Sequence, residues 1–177
     1  MNQPLELEFV LVSSDYSTMQ AVSKGVKKLG AKFVLVPTTH QARDCLNRRK
    51  IDGVFVDMEV PGALGLIEST RKGTSNSKAV IFACGGKAKE STQILNAGAN
   101  FLLRKPLNED AVTLHITISK DLLVQEQRRY FRHPVNLPVT LKEGEGEQQG
   151  RMTNLSGGGM AVRTAKAKAP GAGGFCI

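Results

Sequence analysis

Three arginines lie close together in the second half of the sequence, and their spacing is suited to binding an anion. The stretch RRYFRHPV, residues 128–135, contains Arg128, Arg129 and Arg132 with two aromatic residues among them and no acid. The nearest acidic residue is Glu126, so a structural ion pair accounts for little of this charge. Because a guanidinium group presents a rigid fork of N–H donors, the stretch predicts contacts with phosphate or with a planar pair of acceptors.

A second group of polar residues follows in the segment NLSGGG, residues 154–159. Asn154 and Ser156 carry short hydrogen-bonding side chains, and the glycines that end at Gly159 let the backbone adopt positive φ and approach a ligand closely. The flanking residues alternate apolar and polar types, as half-buried strands do. We expect strands on both sides of a turn that contains Asn154 and Ser156, and a polar hairpin loop at residues 143–150.

A third group of chemically active side chains lies in the first half, where Asp57, Cys84 and Lys105 each follow or close a short apolar run. Amphipathic stretches between the runs, such as 40–49 and 88–98, predict helices. Strands alternating with helices indicate a doubly wound α/β fold with a five-stranded parallel sheet, whose sites lie at the carboxyl ends of the strands. The predicted strands are residues 9–12, 33–36, 54–56, 80–82 and 101–103.

The spacing around Asp57 resembles that of the receiver domains of bacterial response regulators, a flavodoxin-like fold. The matching pattern is D-x-x-x-P-x-x-x-G from Asp57 through Pro61 to Gly65, followed by AGANFLLRKP at 97–106, and the resemblance covers roughly residues 7–120. It implies that Asp57 is the position that accepts a phosphoryl group and that Lys105 contacts the phosphoryl oxygens.

Two departures from the receiver pattern bear on that chemistry. Receiver phosphotransfer uses Mg²⁺, a cation that prefers carboxylate oxygens. The family has an acidic pair after the first strand, whereas this chain has Ser13 and Ser14, and only the next residue, Asp15, is acidic. Cys84 stands where the family has Thr or Ser, and a thiol is a weak hydrogen-bond donor. We therefore expect a degenerate site at Asp57, Lys105, Asp15 and Cys84 in which Asp57 and Lys105 form an ion pair, with Mg²⁺ bound only if the receiver is active.

Residues 108–127 are predicted to form the final receiver helix and to run on into a linker. Asn108 is a suitable N-cap, and two acids follow in the first turn. Ala111, His115, Ile118 and Leu122 recur at helical spacing, which predicts a packed face with His115 on it. We expect the end of this helix to cover the sheet edge or to meet a second chain.

The two polar groups of the second half together resemble the PilZ domain, a small β-barrel that binds the bacterial second messenger cyclic di-GMP. The family motif is an arginine-rich R-x-x-x-R segment, here Arg128 to Arg132, followed by [D/N]-x-S-x-x-G, here Asn154, Ser156 and Gly159. The resemblance implies that these five residues bind cyclic di-GMP. Arg129 either joins them or faces water.

The sequence predicts three regions: a receiver-like α/β core at 1–107, the helix and linker at 108–127, and a PilZ β domain at 128–177. The family's barrel normally extends for about a hundred residues, so we expect this one to be a partial antiparallel barrel. An unpaired strand edge recruits another strand, which predicts self-association through that edge or through the last receiver helix.

Composition limits the functions that fit the chain. The net charge of +8 favours an anionic partner, and the three scattered cysteines are typical of a reducing cytoplasm rather than of a disulfide framework. We see no secretory signal and no apolar run long enough to cross a bilayer. No nucleophile–base pair, metal cluster or Walker-type loop is evident, so we do not expect an enzyme or a cofactor.

The favoured interpretation is a bacterial signalling protein that senses cyclic di-GMP, with a receiver-like domain that regulates it or docks an unidentified protein partner. One alternative is a response regulator phosphorylated on Asp57. The other is a nucleic-acid-binding protein, because aromatics interleaved with arginines can stack on bases. The second alternative leaves the Asn154–Gly159 motif unexplained, so we expect no nucleic-acid partner.

Overall fold

A computed structural model describes residues 7–130, 133–143, 146–156 and 159–164. Side chains are described for these residues except 126–130, 133–134, 142–143, 156 and 159. The chain divides into two compact units, Met1–Glu126 and Gln127–Ile177. We refer to them as unit 1 and unit 2, and the predicted domain boundaries remain predictions.

Unit 1 is the predicted doubly wound α/β fold. All five strands are parallel, in the order β2-β1-β3-β4-β5, so the chain reverses its winding direction at β1 and β3. The strands are β1 (Glu8–Val12), β2 (Lys32–Val36), β3 (Gly53–Asp57), β4 (Val80–Cys84) and β5 (Phe101–Leu103). The helices are α1 (Tyr16–Lys28), α2 (Thr39–Arg48), α3 (Ala63–Lys72), α4 (Ser91–Ala97), α5 (Glu109–Ile118) and α6 (Lys120–Tyr130), with a 3₁₀ turn at Ala88–Glu90.

Apolar side chains cover both faces of this sheet, which is why its central strands contain almost no polar residues. On one face the rings of Phe9, Phe55, Phe82 and Phe101 contact one another in sequence across four strands. The Phe55 and Phe82 rings stack with centroids 4.5 Å apart. This packing fixes the strands relative to one another, and it therefore fixes the residues at their carboxyl ends.

The segment predicted as one long helix forms two helices, α5 and α6, with Ser119 at their junction. The Ser119 hydroxyl donates to the Ile116 carbonyl (2.9 Å), so it competes with the regular helical pattern. The predicted packed face is also displaced, because Val112, Ile116 and Leu123 are buried. Ile118 and Leu122 are exposed.

Unit 2 contains a three-stranded antiparallel sheet in the order β6-β7-β8, as expected for part of a PilZ barrel. The strands are β6 (His133–Glu143), β7 (Gly146–Ser156) and β8 (Gly159–Thr164). Two local predictions were wrong. Gly146–Gly150 is strand rather than loop, and Asn154 lies within β7, paired with Pro134 and Ala161, rather than in a turn. Both segments are recruited into the ladder because pairing satisfies their backbone groups, despite their polar and glycine-rich composition.

No helix in the described parts of the chain has the length and apolar character needed to cross a membrane.

Candidate functional site

The carboxyl edge of the unit 1 sheet gathers the residues that the sequence singled out. Asp57 is the last residue of β3 and is only 1% exposed. Lys105 follows β5, and its Nζ lies 2.9 Å from both Asp57 carboxylate oxygens. Because parallel strands end at the same edge, residues 48 positions apart meet here. The ion pair expected between Asp57 and Lys105 is therefore present.

Ser13 supplies another donor to the same carboxylate. Its hydroxyl donates to Asp57 Oδ2 at 2.7 Å, and the backbone N–H of Glu59 donates to Oδ1 at 3.1 Å. Ser13 is itself fully buried. From the sequence, Ser13 was noted only because it stands where the receiver family has an acidic residue, so its contact with Asp57 was not predicted. Each Asp57 oxygen thus accepts hydrogen bonds from protein donors.

Lys105 is held by more than one acid. Its Nζ lies 3.1 Å from Glu59 Oε2 and 3.5 Å from Asp15 Oδ2. Burial disfavours the charged form of Lys105, but the hydrogen bonds that it donates to Asp57 and Glu59, together with their negative charge, outweigh burial and raise the Lys105 pKa. Lys105 is therefore a charged side chain whose positive charge is already neutralised inside the protein.

Asp15 caps the N-terminus of helix α1. Its Oδ2 accepts from the Thr18 hydroxyl at 2.6 Å, the Ser17 hydroxyl at 2.8 Å and the Thr18 backbone N–H at 3.1 Å. These donors, the Thr18 hydroxyl first, hold the Asp15 pKa well below its usual range. The sequence did contain a signal for this role, because Asp is one of the residue types preferred at a helix N-cap.

Cys84 closes β4 and is fully buried. Burial, followed by the negative charge of Asp57, raises the pKa of its thiol to about 12. A thiol with that pKa stays protonated and unreactive at neutral pH. Cys84 therefore behaves as a small buried apolar residue.

The carboxylates nearest to Asp57 are already engaged by protein donors. Mg²⁺ in proteins is held by carboxylates in near-octahedral geometry. Here Asp57 is engaged by Ser13 and Lys105, and Asp15 is engaged as a helix cap. Within the described residues, no group of three His, Cys, Asp or Glu side chains is placed to hold a metal ion.

The predicted ligand residues of unit 2 fall partly outside the described structure. Arg128 and Arg129 lie in the last turns of α6, although their side chains are not described, and Arg132 lies outside the described residues. Asn154 is half-buried in β7. Ser156 and Gly159 are paired with each other at the ends of β7 and β8. The structure thus brings the backbones of Asn154, Ser156 and Gly159 to one end of the sheet.

Residues 126–176 match a family model described as the PilZ domain. Unit 2 is a PilZ domain. No curated protein matches the chain. The PilZ match contains all five predicted ligand residues, from Arg128 to Gly159, while leaving their individual roles as predictions.

Solved structures show that unit 1 has the receiver fold. A response regulator from Thermotoga maritima is 25% identical, with a TM-score of 0.57 over 68% of this chain and 99% of that one. A CheY-like receiver domain from Methanospirillum hungatei JF-1 is 18% identical, with a TM-score of 0.58 over 68% and 97%. The receiver domain of a Pseudomonas aeruginosa sensor histidine kinase, with a magnesium ion coordinated in its active-site cleft, is 21% identical, with a TM-score of 0.56 over 66% and 97%.

Proposed function

We propose that this protein is a bacterial signalling protein that binds cyclic di-GMP through its PilZ domain, and that its receiver-fold unit regulates it or docks a partner without being phosphorylated. The observation that carries the proposal is the PilZ match over residues 126–176. A receiver fold beside a PilZ domain indicates a role in signal transduction. Neither unit is proposed to catalyse a reaction, and a cytoplasmic location stays a prediction.

The proposed ligand contacts follow from the chemistry of cyclic di-GMP. Guanine presents O6 and N7 as adjacent acceptors, and a guanidinium fork donates to both. The two phosphates of the ligand also favour positive charge. We assign Arg128 and Arg132 to guanine and phosphate, and Arg129 either joins them or faces water. Asn154 and Ser156 would hydrogen-bond the ligand, and Gly159 would leave room for it.

The contacts of Asp57 support a receiver that is not phosphorylated. A phosphoryl group on Asp57 would have to displace a protein donor from either oxygen, the Ser13 hydroxyl from Oδ2 or the Glu59 N–H from Oδ1. Lys105 Nζ contacts both carboxylate oxygens of Asp57 at 2.9 Å. We infer that the Asp57–Lys105 pair is a structural element of the sheet edge in this chain.

Isothermal titration calorimetry of the full chain with cyclic di-GMP tests the proposed function. We expect saturable binding by the wild-type chain, and strong loss of affinity in both Arg128→Ala and Arg132→Ala. Each bidentate arginine contact at a base edge contributes ~1–3 kcal/mol, so each variant should lose about tenfold or more. Lys24→Ala, on an exposed position of α1, is the matched charge control. Wild-type affinity in the Arg128, Arg132 double variant would overturn the site assignment.

A further inference from the structure

The unit 2 sheet has two chemically different faces. Residues paired directly across an antiparallel ladder, and residues two apart on one strand, share a face of the sheet. One face is apolar, and the other is polar and basic. The apolar face carries Leu137, Val139, Leu141, Met152, Leu155, Met160 and Val162. The polar face carries Asn136, Pro138, Thr140, Gln149, Arg151, Asn154, Ala161 and Arg163.

A bulge at Thr153 decides on which face Asn154 lies. Without it, Asn154 would share the face of Met152, which is apolar and buried. The β7–β8 register shifts between Met152 and Asn154, so that Asn154 pairs with Ala161. The β6–β7 register shifts over the same stretch and pairs Asn154 with Pro134. Both ladders therefore place this motif residue on the polar face.

Two arginines stand next to the motif on that face. Arg151 and Arg163 are directly opposite each other in the β7–β8 ladder, and both are exposed. Like charges in such a pair destabilise a sheet unless something compensates them. Arg151 Nη1 donates to Asn136 Oδ1 at 2.7 Å, which orients the guanidinium without neutralising it. Among the described residues, no acid lies within ion-pair distance of Arg151 or Arg163.

The distances within the face allow one ligand to reach both arginines and Asn154. Ala161 is the cross-strand partner of Asn154, and Arg163 lies two residues further along β8. Because a strand advances ~3.3 Å per residue, Ala161 and Arg163 are about 7 Å apart. Neighbouring strands are about 4.8 Å apart. These separations are of the size of one nucleotide unit, and they place two arginines that have no acidic partner among the described residues beside the predicted hydrogen-bonding residue Asn154.

We propose that Arg151 and Arg163 are additional ligand-binding residues of the PilZ domain, and that they hold a phosphodiester group of the dinucleotide bound at Asn154. The inference rests on the proposed function. It assigns residues outside both family motifs, and it gives the bulge a purpose. By turning Asn154 onto the polar face, the bulge places Asn154 and the arginine pair on one continuous surface.

Calorimetry with cyclic di-GMP at low and at physiological ionic strength tests this proposal, using Arg151→Gln, Arg163→Gln and the double variant. A hydrogen bond to a charged group contributes ~1.5–3 kcal/mol, so we expect each single variant to bind at least tenfold more weakly. The double variant should also show a smaller dependence of affinity on salt, because it makes fewer ionic contacts. Arg48→Gln, at an exposed position of α2, removes the same charge from unit 1 and should bind as wild type does.

The outcomes separate this inference from the proposed function. If Arg128→Ala abolishes binding while Arg151→Gln and Arg163→Gln bind as wild type does, the inference is wrong and the proposed function stands. An equal loss in Arg48→Gln would show that only net charge matters, which also overturns the inference. If the folded wild-type chain, checked by circular dichroism, binds no cyclic di-GMP, both are overturned.

Discussion

Replacing Lys105 by Met tests whether the pair at the sheet edge is structural. Asp57 is 1% exposed and Lys105 17%, so the substitution leaves a buried carboxylate without its counter-charge. Breaking a buried ion pair by removing one partner costs about 3–5 kcal/mol. The Ser13 hydroxyl and the Glu59 N–H still donate to Asp57, and Lys105 is not fully buried. We therefore expect the lower part of that range or slightly less, about 2–3 kcal/mol of unfolding free energy.

Urea denaturation followed by circular dichroism measures this loss. With a denaturant slope of about 2 kcal/mol per M, the expected shift of the midpoint is about 1–1.5 M. Lys24→Met, on the exposed face of α1, is the control and should change stability by less than about 0.5 kcal/mol. Adding Asp57→Asn to Lys105→Met removes the unpaired charge, so the double variant should regain part of the lost stability.

Two results would refute the reasoning about Lys105. If Lys105→Met unfolds at the same urea concentration as the Lys24→Met control, the ion pair contributes nothing measurable to unit 1. If the double variant with Asp57→Asn is less stable than Lys105→Met alone, the buried carboxylate is not the source of the destabilisation. In either case the proposal that the pair is a structural element fails.

Three further predictions address the other sites. Asp57→Asn should bind cyclic di-GMP as wild type does, and acetyl phosphate with Mg²⁺ should label neither protein in a stable manner; labelling of wild type alone would show that Asp57 is phosphorylated. Asp15→Ala should lose about 1 kcal/mol at neutral pH, as helix caps do. Because folding lowers the pKa of Asp15, the stability that its charged form contributes is present above the ordinary pKa of 3.8 and is lost as the pH falls below that value. Denaturation midpoints measured across this pH range check the prediction, with Asp15→Asn as the uncharged capping control. A stability difference between wild type and Asp15→Ala that does not depend on pH would contradict it. Finally, we expect self-association in sedimentation velocity, reduced by Ile118→Glu, because Ile118 and Leu122 are exposed on successive turns of α5 and α6; a monomer at all concentrations would contradict this.

The sequence was sufficient to predict the unit 1 fold and the meeting of Asp57 with Lys105. Both follow from local features, because each apolar run predicts a buried strand and parallel strands bring their carboxyl ends together. The contact of Ser13 with Asp57 depends on which rotamer the Ser13 side chain adopts. The break at Ser119 depends on a hydroxyl that bonds to its own helix. Neither the Ser13 contact nor the helix break at Ser119 produces a periodic pattern in the sequence, so neither could be predicted from one.

The unit 2 sheet shows a different limit on what a sequence pattern can predict. Alternation predicted strands in about the right places, but the glycine-rich segment at Gly146–Gly150 was assigned to a loop because its composition is typical of one. Its backbone pairs with β6 all the same. The face of Asn154 could not be predicted either, since one bulged residue reverses the face of every residue that follows. Register is a property of two strands together, and a single strand's pattern does not contain it.

Lys105 in unit 1 and the arginine pair Arg151 and Arg163 in unit 2 differ in what they contact, and this difference favours the arginine pair over Lys105 as the place where an anion binds. In unit 1, Lys105 is neutralised by Asp57 and Glu59, so a phosphoryl or phosphate group would have to compete with two carboxylates already in contact. In unit 2, Arg151 and Arg163 face each other with only an amide oxygen as a described partner. Binding an anion there replaces a repulsion by an attraction, whereas binding one at Lys105 first breaks a buried ion pair. A positive charge at the edge of one sheet and on the face of the other thus has opposite consequences, and this energetic preference agrees with the proposal that the PilZ domain binds the ligand.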